Sequence, residues 1–189
     1  MNTADHRSGS YKLVNNNICP IHFSVKFGKN VKIGENVVID KNCTIGDNVF
    51  IGHNTVIREN VSIGSNSVLG HLVVIEADTI IGNFVTIQSQ CHITKFATIE
   101  DNVFFGPKAM CINTYHISHG RKFKPELNGP IIRFGARVGS GSVIMPGVEI
   151  GRETEIGANS TVTRNCLPFC VYIGSPAKMK RSVPTAERY

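Results

Sequence analysis

The sequence has 189 residues, of which 41% are hydrophobic and 18% charged, and its formal net charge is +6 at pH 7. Such a chain can bury a substantial core, which excludes a largely disordered protein. No apolar run approaches the roughly 20 residues of a membrane span, and residues 1–17 lack the apolar segment of a secretory signal, so we expect a cytoplasmic protein.

From residue 31 onward, an apolar side chain returns at every sixth position. Residues 1–30 are irregular, and we predict that they form a cap. Neither the period of two of a half-buried strand nor the period of 3.6 of a helix produces a six-residue spacing. The repeat runs through fourteen successive positions: Ile33, Ile39, Ile45, Ile51, Ile57, Ile63, Leu69, Ile75, Ile81, Ile87, Ile93, Ile99, Phe105 and Cys111.

Each hexad supplies one short strand and one corner. A small or β-branched residue stands two positions before each repeat residue, as Val37 stands before Ile39, so both side chains point inward from alternate strand positions. Gly often follows the repeat residue, with Asn two positions further on, and both tolerate the left-handed backbone of a sharp corner. Three corners close a triangle, which predicts stacked coils of 18 residues with parallel strands about 4.8 Å apart. An ordinary sandwich would instead alternate with a period of two.

Most of the six cysteines are predicted to be reduced packing residues. They show neither the CxxC spacing of a zinc site nor the density of a disulfide scaffold. We therefore expect no structural metal.

After Cys111 the repeat breaks and resumes at Ile132. If Ile132 occupies the next face of the coil, about 15 residues are extruded, and we assign residues 112–131 to this loop. Long loops on rigid scaffolds often carry function. The repeat then continues through Val138, Ile144, Ile150, Ile156 and Val162.

We assign residues 31–165 to the coil with its loop and residues 166–189 to a basic C-terminal segment. From Arg164 to Tyr189 the formal charge is +4. A basic end suits a phosphate-rich small ligand, although a solvated tail explains it as well. The chain has no nucleic-acid recognition motif and little aromatic interleaving, so we expect no nucleic-acid partner.

The hexads resemble those of the hexapeptide-repeat proteins, and the resemblance covers residues 31 to about 180. It implies an all-β fold, a left-handed parallel β-helix with one extruded loop. The left hand comes from the resemblance alone, because parallel crossovers are normally right-handed.

The stretches "VGSGSVIMPGVEIG", "IGANSTVTRN" and "IGSPAK" resemble the C-terminal half of coenzyme A-dependent sugar acetyltransferases of this family. The resemblance implies acetyl-coenzyme A as co-substrate, lying in a groove between subunits of a homotrimer. It places Ser140 and Ala158 in the groove, and Thr163, Arg164 and Lys178 near the nucleotide phosphates. Ser140 and Ala158 could equally be small residues at a tight corner.

The segment "NTYHISHG" holds the candidate catalytic and acceptor-binding residues. Acyl transfer to a hydroxyl needs a base, and imidazole suits that role. His116 matches the histidine of sugar O-acetyltransferases of the family, although Ile117 replaces the usual Pro. His119 is a second candidate, as a ligand contact or as the base, and a surface residue is its alternative. Asn113 matches an acceptor-binding Asn of enzymes that N-acetylate nucleotide-linked amino sugars, and a turn-forming role is its alternative.

Two other functions remain open from the sequence. His53 and His71 are 18 residues apart, so they should stack at one corner about 4.8 Å apart, a spacing that a shared metal could use. Metal-dependent hydratases resembling carbonic anhydrase share the fold. A non-catalytic scaffold is the third interpretation. We favour an acetyltransferase that acts on a sugar or nucleotide-linked sugar, with a role in surface polysaccharide biosynthesis.

Overall fold

The structure, a computed structural model, describes residues 11–14 and 17–189. Its described residues form short strands and one 3₁₀ turn at Thr185–Glu187, without an α-helix, so none of them is in a helix that could span a bilayer. The strands are β1 Tyr11–Val14, β2 Asn17–His22, β3 Lys26–Phe27, β4 Lys32–Ile33, β5 Val38–Ile39, β6 Thr44–Ile45, β7 Phe50–Ile51, β8 Val56–Ile57, β9 Ser62–Ile63, β10 Val68–Leu69, β11 Val74–Ile75, β12 Ile80–Ile81, β13 Thr86–Ile87, β14 His92–Ile93, β15 Thr98–Ile99, β16 Phe104–Phe105, β17 Met110–Cys111, β18 Ile131–Ile132, β19 Arg137–Val138, β20 Val143–Ile144, β21 Glu149–Ile150, β22 Glu155–Ile156, β23 Thr161–Val162, β24 Cys170–Gly174 and β25 Ala177–Ser182.

The strands stack into three sheets, which are the sides of a triangular coil. The first face runs from β1 and β2 through every third strand to β23, the second from β3 to β21, and the third from β4 through β22 to β24 and β25. Within the coil, neighbouring strands are parallel. They pair residues 18 positions apart, as Val68 pairs with Thr86, or 33 apart where the loop intervenes, as Thr98 pairs with Ile131. The predicted left-handed parallel β-helix is confirmed.

The repeat side chains form one continuous core. All the repeat residues from Ile39 to Cys111 are buried, and the small residues two positions before them are buried beside them. Since each inward side chain packs on its counterpart in the next coil, the core is a column with the length of the stack.

The corners are turned by residues with a left-handed backbone. Three positions after most repeat residues φ lies between 54° and 69°, at Asn36 and Asn54 but also at Leu72 and Phe84. Successive asparagines donate side-chain hydrogen bonds up the stack, as Asn36 does to Asn54 at 3.2 Å. The corner role predicted for Asn is confirmed.

The glycines that follow the repeat residues have a different role from the predicted one. Gly34, Gly52 and Gly70 are not left-handed. A Cβ on Gly52 would lie 2.6 Å from the carbonyl carbon of Gly70 in the next coil. These glycines therefore permit the close approach of successive coils.

The extruded loop leaves the coil after β17 and rejoins it at β18. Ile132 pairs with Ile99 in the parallel register of the second face, just as Ile81 pairs with Ile99 on the other side. The coil therefore continues past the loop without a change of register. Residues 112–130 form the loop, and Ile131 already begins a strand.

Both ends of the stack carry antiparallel hairpins. At the C-terminal end β24 joins the third face and β25 folds back on it. At the other end β1 pairs with β2, and the coil has already begun at Lys26–Phe27, within the region predicted as a cap. Residues 1–10 and 15–16 of that predicted cap lie outside the described part of the chain.

Candidate functional site

The loop emerges at the corner between the first and second faces, which we call the first corner. The backbone N–H of Asn128 donates to the carbonyl of Asn113 at 2.7 Å, and the N–H of Gly147 in the next coil donates to the carbonyl of Asn128 at 2.9 Å. The base of the loop is therefore fixed to the coil, and Asn113 lies at this fixed base, half-buried.

His116 lies on the exposed part of the loop. Its backbone N–H donates to the hydroxyl of Thr114 at 3.2 Å, and its ring meets the edge of Phe123 at 6.3 Å between centroids. Within the described residues no side chain bonds to its ring nitrogens. The imidazole is thus available to a ligand, but nothing in the described chain orients it. His119 is exposed as well, in the turn that the hydrogen bond from Arg121 N–H to the Ser118 carbonyl closes at 2.7 Å.

Ser140 and Ala158 stack at the corner between the third and first faces, the third corner. The N–H of Asn159 donates to the carbonyl of Ser140 at 2.8 Å, which holds the two turns one above the other. Ala158 lines a groove of about 370 Å³ with Gly139, Gly157, Phe104, Arg137, Glu155 and Glu187 among the other lining residues. A Cβ on Gly139 would lie 2.5 Å from the backbone nitrogen of Ala158, and a Cβ on Gly157 would lie 2.8 Å from Cγ1 of Ile173, so both glycines permit close packing beside the groove.

Thr163 and Arg164 lie at the first corner, in the column that contains Asn113. The coil that carries Thr163 and Arg164 lies two coil spacings, about 10 Å, from the coil that carries Asn113. Lys178 lies on β25 opposite Ile173. Arg164 and Lys178 are exposed, and neither forms an ion pair with a described side chain.

The predicted residues therefore divide between the two edges of the first face in its last coils. The third corner carries Ser140 and Ala158, and the first corner carries Asn113, Thr163, Arg164 and the loop. The "IGSPAK" turn reaches the same face, because Ser175 bonds to Thr161 on β23 through their hydroxyls at 2.9 Å. Lys178 stands apart, on the outer strand of the third face.

His53 and His71 stack at the third corner as predicted, with ring centroids 5.1 Å apart. Nδ1 of His71 accepts the backbone N–H of His53 at 2.9 Å, and Nδ1 of His53 accepts that of Glu35 at 2.8 Å. A neutral ring bonded in this way carries its proton on Nε2, so neither histidine has a free lone pair for a metal. No cluster of three or more potential metal ligands occurs in the described residues.

The buried thiols are unsuited to nucleophilic catalysis. Cys43, Cys91, Cys111, Cys166 and Cys170 are buried and unpaired. Burial raises the pKa of Cys43 and of Cys91 to about 11, so both remain protonated at neutral pH. The five cysteines whose side chains the structure describes pack, as predicted for most of the six.

One charged cluster was missed by the sequence reasoning. Arg133 lies at the corner between the second and third faces, the second corner. It bonds to Glu100 and to Glu149, both at 2.8 Å, beside a cleft of about 490 Å³. The hydrogen bond from Arg133 lowers the pKa of Glu149. The hexads could have predicted this cluster. Glu100 directly follows Ile99, Arg133 directly follows Ile132, and these two repeat residues pair on the second face.

Two family models match the chain. Residues 15–118, more than half of it, match the model described as the GMPPB C-terminal domain. Residues 129–164 match that of the bacterial transferase hexapeptide, with six repeats.

Among curated proteins, galactoside O-acetyltransferase of Escherichia coli is 34% identical over 92 residues, which cover 47% of this chain and 45% of that protein. Serine acetyltransferase of Buchnera aphidicola is 34% identical over 59 residues, 31% of this chain and 23% of that protein. The chain spans less than half the length of the curated relatives it matches.

A solved structure shares the fold. UDP-N-acetylglucosamine acyltransferase from Campylobacter jejuni aligns with a TM-score of 0.68 at 20% identity, over 87% of this chain and 73% of that one. The chain therefore belongs to the family described as the GMPPB C-terminal domain, and its coil is built from hexapeptide repeats.

Proposed function

We propose that the protein transfers an acetyl group from acetyl-coenzyme A to a hydroxyl or amino group of a sugar or nucleotide-linked sugar. The observation that carries this proposal is that the loop of His116 and the small-residue corner border the same face of the coil, at its two edges, in the last coils. The curated acetyltransferase relatives support the reaction type. Surface polysaccharide biosynthesis in the cytoplasm is the setting we propose.

In this proposal the acceptor oxygen or nitrogen attacks the thioester carbonyl directly. Nε2 or Nδ1 of His116 removes the acceptor proton as the new bond forms. Backbone amides near the groove stabilise the oxyanion. The C–S bond then breaks, and coenzyme A leaves as a thiol after taking the proton from His116.

Ser140 and Ala158 admit the pantetheine arm in this scheme because they are small. Thr163, Arg164 and Lys178 contact the nucleotide phosphates, while Asn113 and His119 hold the acceptor. Arg164 and Lys178 are exposed and unpaired with described side chains, so both can meet an anionic ligand without losing another ion pair.

We propose that the active unit is a homotrimer. His116 has no described partner for its ring nitrogens, and the third-corner groove is open to solvent on one side, so a neighbouring copy can complete both. The expected mass is three times the 20.7 kDa of one chain. Light scattering on the active protein measures this mass, and a monomer with full turnover would exclude a shared groove.

Coenzyme A binding is the first test. If the donor site is present, coenzyme A raises the melting temperature in proportion to the logarithm of its concentration above the dissociation constant. A non-catalytic scaffold would show no shift.

Neutralising both Arg164 and Lys178 should raise the Michaelis constant for acetyl-coenzyme A much more than it lowers turnover, because phosphates remote from the thioester are bound alike in ground and transition states.

A further inference from the structure

The loop carries a compact group of cations that the proposed transfer mechanism does not use. Arg121, Lys122 and Lys124 fall within four residues, all with exposed side chains, and Glu126 is the one acid between residues 112 and 130. None of the three cations takes part in the ion pairs of the described chain, whereas Lys95, Arg133 and Arg137 do. The loop therefore presents unneutralised positive charge.

This charge lies next to the candidate base. Phe123 stands between Lys122 and Lys124 in the chain, and its ring is the one that meets the His116 ring edge-on at 6.3 Å. Adjacent Cα atoms are about 3.8 Å apart, so the Cα atoms of Lys122 and Lys124 lie next to that of Phe123, the residue that contacts His116. A ligand bound by these cations can therefore reach the imidazole.

Exposed rings accompany the cations. Tyr115 is 56% exposed and Phe123 is 49% exposed. Exposed aromatic rings beside cations suit a ligand that has both an apolar face and negative charge, as an acidic sugar does. A neutral sugar would use the rings and leave the three charges without a function.

We propose that the acceptor is anionic, and that Arg121, Lys122 and Lys124 bind a phosphate or carboxylate group attached to the sugar that His116 deprotonates. This inference rests on the proposed acetyl transfer. Charge-assisted hydrogen bonds from Arg and Lys are the ordinary way to recognise such groups. The inference distinguishes this chain from an enzyme whose acceptor is a neutral glycoside.

The test uses matched acceptors that differ by one charged group: glucosamine against glucosamine 6-phosphate, and galactose against galacturonic acid. Coenzyme A release from acetyl-coenzyme A gives kcat/KM for each. We expect at least about a tenfold preference for a charged member, weakened by added salt because exposed charges are screened. The phosphate pair and the carboxylate pair tell the two anions apart. Equal kcat/KM within both pairs would overturn the inference.

The triple variant Arg121→Gln, Lys122→Gln, Lys124→Gln should lose most of this preference. Its control is the charge-matched triple variant Lys26→Gln, Lys29→Gln, Lys32→Gln, which changes exposed lysines at the opposite end of the coil and should keep it. A preference that survives in the loop variant would place the anion site elsewhere and refute the assignment.

A binding measurement separates this inference from the proposed transfer. Calorimetry with glucosamine 6-phosphate and galacturonic acid needs no turnover. Binding of either compound that is lost in the loop variant supports the inference even if no acceptor releases coenzyme A, in which case the transfer proposal alone fails. Absence of binding of both compounds to the unaltered protein, together with transfer to neutral sugars, overturns the inference alone.

Discussion

At the scale of single residues, the loop histidine and the corner glycines act through different physical effects. His116 is exposed and free of ring hydrogen bonds within the described chain, so replacing it removes only the edge-on contact with the exposed Phe123 ring. Gly52 is placed where a single added carbon atom would meet the backbone of the next coil at 2.6 Å. One residue is thus available for chemistry, and the other is constrained by the fold.

His116→Ala should separate the two acceptor classes. For a hydroxyl acceptor we expect turnover to fall on the order of 10²–10⁴-fold, the usual contribution of a positioned base, with the donor Michaelis constant nearly unchanged. For an amine acceptor the variant should retain far more activity and gain rate as pH rises, because the amine can lose its proton to water. Steady-state kinetics across pH measures this, with Ile117→Ala, at an 85% exposed neighbour that has no assigned role, as the control.

Asn113→Ala completes that experiment. With an amine acceptor it should be the more damaging change and should act mainly on the acceptor Michaelis constant. Full activity of both variants towards the best acceptor would show that the loop is not the active site.

Gly52→Ala should lower the free energy of unfolding by about 1–3 kcal/mol, the usual cost of overpacking. Gln88→Ala is the control, because Gln88 occupies the same position of the same corner two coils further on and already carries a Cβ. Thermal unfolding of both variants measures the difference. Equal melting temperatures would mean that the coils can separate locally at no cost.

At the scale of elements, the hexads predicted most of the strands because the fold repeats one local rule. A period of six fixes which residue faces inward, and each coil repeats the register of the previous one. The glycines at the second and third corners were wrongly predicted to turn the corners. They are needed because the backbone of the next coil lies too close for a Cβ, and sequence neighbours do not reveal that approach. The β24–β25 hairpin was missed because it contains no hexads.

The candidate site was predictable only in part for the same reason. Ser140 and Ala158 belong to hexads, so their stacking follows from the register. The loop has no period, so the contact between His116 and Phe123 depends on tertiary folding. Leu72 and Phe84 adopt a left-handed backbone that bulky residues do not favour. Only their place in the repeat, three positions after a repeat residue, indicates this conformation.

Removal of residues 114–128 should leave a continuous coil. The deletion joins Asn113 to Gly129, restores the ordinary coil spacing between Ile99 and Ile132, and places Gly129 at the left-handed corner position. The hydrogen bond between Asn128 and Asn113 shows that the ends to be joined already lie together. We expect cooperative unfolding and a retained coenzyme A stabilisation, with acetyl transfer abolished.

Loss of cooperative unfolding in this variant would show that the loop is part of the folding unit. Retained acetyl transfer would instead exclude every deleted residue from the reaction. Calorimetry and the coenzyme A release assay distinguish these results.

At the scale of the whole molecule, stability should depend on alkaline pH through the core thiols. Burial raises the pKa of Cys43 and Cys91 from 9.0 to about 11, so the folded protein keeps protons that the unfolded chain loses. This contribution is complete below about pH 9 and declines as pH rises towards about 11. Denaturant titrations should therefore show a falling free energy of unfolding over this interval.

The double variant Cys43→Val, Cys91→Val isolates the thiols from lysine and tyrosine titration. Valine occupies the equivalent inward position at Val37 and Val49, so the replacement suits the column. Its stability should decline less steeply over the same alkaline interval. An identical slope in both proteins would assign the effect to other groups.

The two terminal hairpins affect how readily one molecule can stack end to end on another. A stack of parallel coils has no intrinsic length, because the last strand of one molecule offers the same unpaired edge that the first strand of another could extend into a fibre. Here β2 and β24 are each covered by a strand that runs in the opposite direction, and β25 adds Lys178, Lys180 and Arg181 to the outer edge. Each hairpin thereby covers one of the three faces at its end of the stack, which disfavours end-to-end polymerisation, the ordinary hazard of an open solenoid.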